Sequence, residues 1–123
     1  MNSKQKGSLA VTAWIAKLYS LGYEVLLPIG DRKPYDLVFD NGQRLNKAQV
    51  KYAGKGFNGK YGASLRITGG NQSFNYAKKY GDNDFDYLCV YTADKRFYLI
   101  KWKEIKVRNK ISLDDKKYQK YLL

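Results

Sequence analysis

Two runs of alternating residues, separated by a strong turn signal, constrain this chain most. Tyr35-Asp36-Leu37-Val38-Phe39-Asp40 alternates with period two, and so does Leu45 to Tyr52. Between them stands Asn41-Gly42, a dipeptide suited to the positive φ angles of a hairpin turn. Tyr35, Leu37 and Phe39 face one way, and Asp36, Val38 and Asp40 the other. On the second run Asn46, Ala48, Val50 and Tyr52 alternate against Leu45, Lys47, Gln49 and Lys51. A two-residue loop would pair Asp40 with Gln43 and set Asp36 opposite Lys47. A four-residue loop, Asn41 to Arg44, would pair Asp40 with Leu45 and set Asp36 opposite Gln49. The shift is even, so either register keeps Asp36, Gln49 and Lys51 on one face. Only the longer loop brings Asp36 and Gln49 within roughly 5 Å at Cβ, with Lys51 on the diagonal. The four-residue loop, or a bulge of the same effect, is the expectation.

The rest of the chain reads as support for these strands. Ser8 to Leu21 has apolar residues at Val11, Trp14, Ile15, Leu18 and Leu21, the spacing of one buried helix face, with Ser8 or Ser3 as cap and Gly22 as terminator. Tyr23 to Ile29 reads as a short strand, with Leu26-Leu27 suggesting burial on both faces. Gly30 to Pro34 is a polar loop. Asp86 to Thr92 and Arg96 to Lys101 read as a hairpin about Ala93-Asp94-Lys95, with Cys89 a small core residue between apolar neighbours. Phe74 to Tyr80 reads as a short helix, Trp102 to Ile105 as a helical turn, and Leu113 to Leu122 as a Lys-rich helix with Asp114 and Asp115 near its start. With no repeat and no long linker, a single domain over residues 1–123 is expected.

Ala53 to Ala63 has no apolar period and interleaves glycines, lysines and aromatics. It reads as a hairpin that lies on a phosphate backbone, where glycine permits close approach and Lys55 and Lys60 neutralise charge. Ser64 to Thr68 alternates again, and a strand edge bearing Arg66 and Thr68 can enter a major groove. Asn71 and Gln72 follow in a polar turn, with amides suited to base edges. The formal net charge of +12, from 23 Lys+Arg against 11 Asp+Glu, makes nucleic acid the first candidate partner and an anionic membrane surface the second. No run of about 18 apolar residues is present, so no spanning helix is expected. The polar residues Met1 to Gly7 point to a cytoplasmic protein.

The residue inventory limits the chemistry further. The chain has no histidine and a single cysteine, which removes His-dependent triads, His general bases and cysteine zinc sites. Catalysis must then use carboxylates, Lys, Tyr or a hard metal ion on oxygen ligands. Asp36 offers an anionic oxygen, Gln49 a neutral carbonyl oxygen from the next strand, and Val50 a main-chain carbonyl. Mg²⁺, or Mn²⁺ in its place, accepts such a set while keeping several waters. Lys51, two residues past Gln49, can orient the attacking water or stabilise charge on a phosphate.

An Asp, a hairpin turn and then Gln-x-Lys resembles the motif of the PD-(D/E)xK nuclease superfamily, here Tyr35-Asp36 followed by Gln49-Val50-Lys51. Lys6-Gly7, the first helix, the stretch LGYEVLLPIGDRKPYDLVFDNG, QVKY and FDYLCVYTADKRFYLI are similar to a subgroup of it with Gln at the usual acidic position, which includes a bacterial group I intron homing endonuclease. The resemblance implies an α/β restriction-endonuclease-like core, a central mixed β-sheet flanked by helices. It implies metal-dependent cleavage of double-stranded DNA by Asp36, Gln49 and Lys51, with the DNA-contacting hairpin at about residues 53–73. Cutting both strands implies a homodimer or homotetramer. Relatives often carry a Glu on the first helix, aimed at the metal; spacing from Lys6-Gly7 puts that position at Val11. With Val11 and Gln49 uncharged, Asp36 is the one sure anionic ligand, and Asp31, Glu24 or a DNA phosphate would have to supplement it. A Holliday-junction resolvase and a DNA-binding module without catalysis are the competing readings.

Overall fold

The computed structural model describes residues 1–68 and 77–123. Helix α1 spans Ser3–Ser20 and begins before the expected Ser8. Its cap is Asn2, not either serine. The Gln5 amide donates to Asn2 Oδ1 and the Asn2 amide to Gln5 Oε1, each at 2.9 Å, a reciprocal capping box. Gly22, at φ +86°, ends the helix as expected, with Gly22 N donating to the Tyr19 carbonyl and Tyr23 N to that of Leu18. Ala10, Trp14 and Leu18 are its buried residues, and Leu21 is exposed.

Strands follow at Glu24–Leu26 (β1), Leu37–Asp40 (β2), Leu45–Lys55 (β3), Tyr61–Ser64 (β4), Arg66–Thr68 (β5), Ala77–Lys79 (β6), Tyr87–Thr92 (β7), Phe97–Lys101 (β8) and Lys110–Ser112 (β9). Short 3₁₀ helices cover Trp102–Glu104 and Lys116–Tyr121. The architecture is the α/β one expected, with a mixed sheet at its centre. Long β3 is the hub: its first part pairs antiparallel with β2, its middle pairs parallel with β7, and its end pairs antiparallel with β4. β1 extends the sheet beyond β2, β8 beyond β7 and β9 beyond β4. Alternation along β3 and β7 divides the core. Ala48, Val50, Cys89 and Tyr91 pack with Trp14 and Leu18 under α1. Ala53, Leu88 and Val90 face Phe85, Ile100, Trp102 and Tyr118 on the other side. That second face is covered by loops, β9 and the 3₁₀ helices.

The β2–β3 register is the longer-loop one: Asp40 pairs with Leu45 and Leu37 with Ala48. Asn41 to Arg44 make the turn, with Gly42 at φ +90° and the Asn41 side chain accepting from the Gln43 and Arg44 amides.

Three further expectations are corrected. The segment after α1 is not buried on both faces: β1 is an edge strand, and Leu26 is 44%, Leu27 60% and Ile29 fully exposed. The helix expected over Phe74 to Tyr80 is a strand at Ala77–Lys79, paired with β5, because the chain doubles back on Arg66–Thr68; residues 74–76 lie outside those described. The expected Leu113 to Leu122 helix contracts to Lys116–Tyr121, pinned by buried Leu113 and Tyr118. Asp114 serves the neighbouring hairpin, accepting from the Tyr61 amide at 2.6 Å, rather than a helix end.

Candidate active site

The site forms where β2 parts from β3. The Asp36 amide donates to the Ala48 carbonyl at 2.8 Å, although Ala48 already pairs with Leu37. Two residues of one strand thus lie against one of the other, a bulge-like step that ends the ladder. Beyond it, the edge of β3 at Gln49 and Val50 is free of β2. The chain's choice of a polar residue at position 36 is what this fork needs. The Val50 amide, which has lost its strand partner, donates to Asp36 Oδ2 at 2.8 Å.

Gln49 is buried, and its Nε2 donates to the Val50 carbonyl at 3.2 Å. That bond fixes the amide so that Oε1, which accepts no hydrogen bond among the described residues, remains available. The open fork is a cleft of about 720 Å³ between the first turns of α1 and the strands. Ser3, Gly7 and Val11 line it on the helix side, and Asp36, Gln49 and Val50 on the sheet side. The sequence-based set of Asp36, Gln49 and Val50 is therefore brought together, and Val11 faces the same cleft. Asp31 lies on its exposed rim; Glu24, opposite Asp40 on β1, does not line it.

Electrostatics tie Lys51 to the group. Burial holds the Asp36 carboxyl above its ordinary range, opposed by the Val50 amide and the Lys51 charge. Burial likewise pulls the Lys51 ammonium below its ordinary range, opposed by Asp36. Each charge is disfavoured by desolvation and partly restored by the other. No ion pair forms between Asp36 and Lys47 or Arg32; Lys47 Nζ instead donates to the Asn83 carbonyl. Among the described residues there is no cluster of three or more His, Cys, Asp and Glu. The donor set is all oxygen and carries one negative charge, which fits a hard divalent ion that keeps much of its water.

Tyr80 is a site neighbour that sequence reasoning missed. It is buried beside Lys51, whose Nζ lies 5.1 Å from the ring centroid. Burial, Asp36 and Asp84 push its hydroxyl up to about 12. Nothing local marks it, since the contact depends on the return of the chain through β5 and β6.

The residues expected to touch DNA lie apart from this cleft. Lys55 ends β3 and Lys60 closes the turn into β4, both exposed, with Gly56 N bonded to the Lys60 carbonyl and Gly59 at φ +76°. Arg66 is exposed at the start of β5. Thr68 ends that strand. Asn71 and Gln72 lie outside the described residues.

No curated protein sequence matches the chain. Among solved structures it is similar to the bacterial homing endonuclease I-Ssp6803I, at 32% identity and a TM-score of 0.80, over 97% of this chain and 82% of that one. The PD-(D/E)XK endonuclease family matches residues 1–121, so that the fork, its Asp and its Gln-x-Lys all fall inside the matched span. Proteins of this family generally use divalent metal ions. This chain belongs to the PD-(D/E)XK endonuclease family and is a nuclease.

Proposed function

We propose that this nuclease is a metal-dependent endonuclease that hydrolyses phosphodiester bonds of double-stranded DNA at specific sites, in the manner of a homing endonuclease. The single observation that carries this reading is the fork, where Asp36, Gln49 and the Val50 carbonyl converge next to Lys51. A divalent ion held by these oxygens supplies positive charge at the scissile phosphate and lowers the pKa of water. Asp36 holds one carboxylate oxygen on the Val50 amide and presents the other to the cleft. Gln49 offers Oε1, held in place through its Nε2. Lys51 places an ammonium where negative charge grows as the phosphate is attacked. The hairpin of β3 and β4 carries Lys55 and Lys60 to the DNA backbone, and Arg66, Thr68, Asn71 and Gln72 extend the contact across a groove. One cleft per chain and two strands to cut make the working unit a homodimer or homotetramer.

Val11 favours a second reading, a DNA-binding module of the same fold without cleavage. Plasmid nicking with and without Mg²⁺ or Mn²⁺, repeated for Asp36→Ala, separates the two. Metal-dependent nicking abolished by Asp36→Ala supports the proposal. Nicking untouched by that change overturns the site, and tight DNA binding without nicking at any metal concentration supports the binding module.

A further inference from the structure

We infer that Tyr80 is a positioning residue for Lys51, holding the ammonium over its ring face at the fork; this deepens the nuclease reading above and rests on it. Lys51 makes no ion pair within the described residues and is half-buried. The Tyr80 ring lies against it, with its centroid 5.1 Å from Nζ. An aromatic face attracts a cation through its quadrupole without neutralising it. A carboxylate in the same place would cancel the charge that the phosphate is to meet. The ring is itself immobilised: Phe85 packs edge-on at 5.1 Å with an interplanar angle of 78°, and Trp102 edge-on at 6.3 Å and 90°.

The placement of Tyr80 in the chain adds a second consequence. It directly follows β6, whose last residue Lys79 pairs with Arg66 at the start of β5. The β5–β6 ribbon carries Arg66, assigned above to DNA contact. Tyr80 thus joins a DNA-contacting ribbon to the cation of the active site through a single peptide link.

The test compares Tyr80→Phe, which keeps the ring, with Tyr80→Leu, which keeps apolar bulk and loses it. In single-turnover cleavage, Tyr80→Leu is expected to slow the chemical step about tenfold, about 1.4 kcal/mol of transition-state stabilisation. DNA affinity should be unchanged, and Tyr80→Phe should match the unmodified protein. A readout independent of cleavage is the NMR signal of the Lys51 side-chain methylenes, which the ring face shifts upfield. That shift should persist in Tyr80→Phe and vanish in Tyr80→Leu. Equal losses in both variants would assign the effect to the hydroxyl and overturn the inference. An unshifted Lys51 signal in the unmodified protein would overturn it as well. If the unmodified protein binds DNA without cutting it, the nuclease reading fails, while the NMR comparison still decides the placement of Lys51.

Discussion

Asp36 sits at a fork where the proposed chemistry calls for a carboxylate and burial penalises its charge. Because burial raises its folded-state pKa above the ordinary 3.8, the native protein binds this proton more tightly than the unfolded chain does. The sign follows: at the lowest pH the group is neutral in both states and costs nothing, and its cost enters as pH rises through the folded-state pKa. Asn at this position keeps an acceptor for the Val50 amide and carries no charge. Thermal melts in chelator should therefore show Asp36→Asn at least as stable as the unmodified protein near neutral pH, the difference shrinking as pH falls toward 3.8, while cleavage is lost. A variant destabilised at every pH would contradict this account. Val11 makes the complementary case. It lines the same cleft, half-buried, at the position where the sequence resemblance leads one to expect a carboxylate. Val11→Glu should lower the Mg²⁺ concentration for half-maximal nicking by about tenfold, since site charge sets affinity for hard cations. In chelator the same change should cost about 1 kcal/mol or more, for a charge placed in a partly dry cleft. Metal titration of nicking and a chelator melt check both halves. The grouping of Asp36, Gln49 and Lys51 was legible because strand period alone fixes a shared face. Tyr80 was not, because a ring reaches Lys51 only after the chain has folded back through a second ribbon.

At the scale of elements, turn and helix glycines separate what backbone conformation dictates from what packing does. Nothing lies within 4 Å of a Cβ added at Gly7, inside α1, or at Gly42, in the β2–β3 turn. Gly7 has no positive φ, whereas Gly42 sits at φ +90°. Gly7→Ala should stabilise the protein by about 0.5–1 kcal/mol through a better helix former. Gly42→Ala should destabilise it by about 1–2 kcal/mol through left-handed strain alone. Denaturant titrations of the two variants should move in opposite directions; a shared direction would mean that the turn or the helix is not as described. The same contrast explains which elements the sequence announced. The β2–β3 hairpin followed from alternation plus Asn41-Gly42, its register from the requirement that Asp36 come beside Gln49, and the β7–β8 hairpin from its apolar runs. β9 is Lys110-Ile111-Ser112, too short to show a period, and it exists because β4 offers it an edge. The terminal Lys116–Tyr121 segment carries local helix-forming lysines, but its length is set by where Leu113 and Tyr118 can be buried. The Tyr23 to Ile29 run misled because apolar content reports burial only where a second layer arrives to cover it.

For the molecule as a whole, the charge of +12 makes salt the sharpest probe of how it meets DNA. Each phosphate neutralised by a Lys or Arg releases condensed counterions, so log K falls with log salt by about 0.9 per contact on a B-form duplex. Lys55 and Lys60 stand exposed at opposite ends of the β3–β4 turn, well away from the fork. Replacing both by Gln should therefore weaken binding to all duplexes alike and make the slope shallower by about 2, one unit for each contact removed. Asp36→Asn removes a negative charge from the cleft and leaves the exposed lysines of the β3–β4 turn in place. Its slope should equal that of the unmodified protein, even as its cleavage disappears. The two effects are separable because the architecture separates them: β3 meets Asp36 at the fork through Gln49 and Val50 in its middle and carries the basic turn at its end. Fluorescence anisotropy over a salt series, on one cognate-length duplex and one unrelated duplex, measures both slopes. An unchanged slope for the double Gln variant would move the phosphate grip off this hairpin and onto other lysines of the surface. A slope that changes with Asp36→Asn would mean that the cleft itself competes with the backbone for cations, and that binding and chemistry share one electrostatic surface.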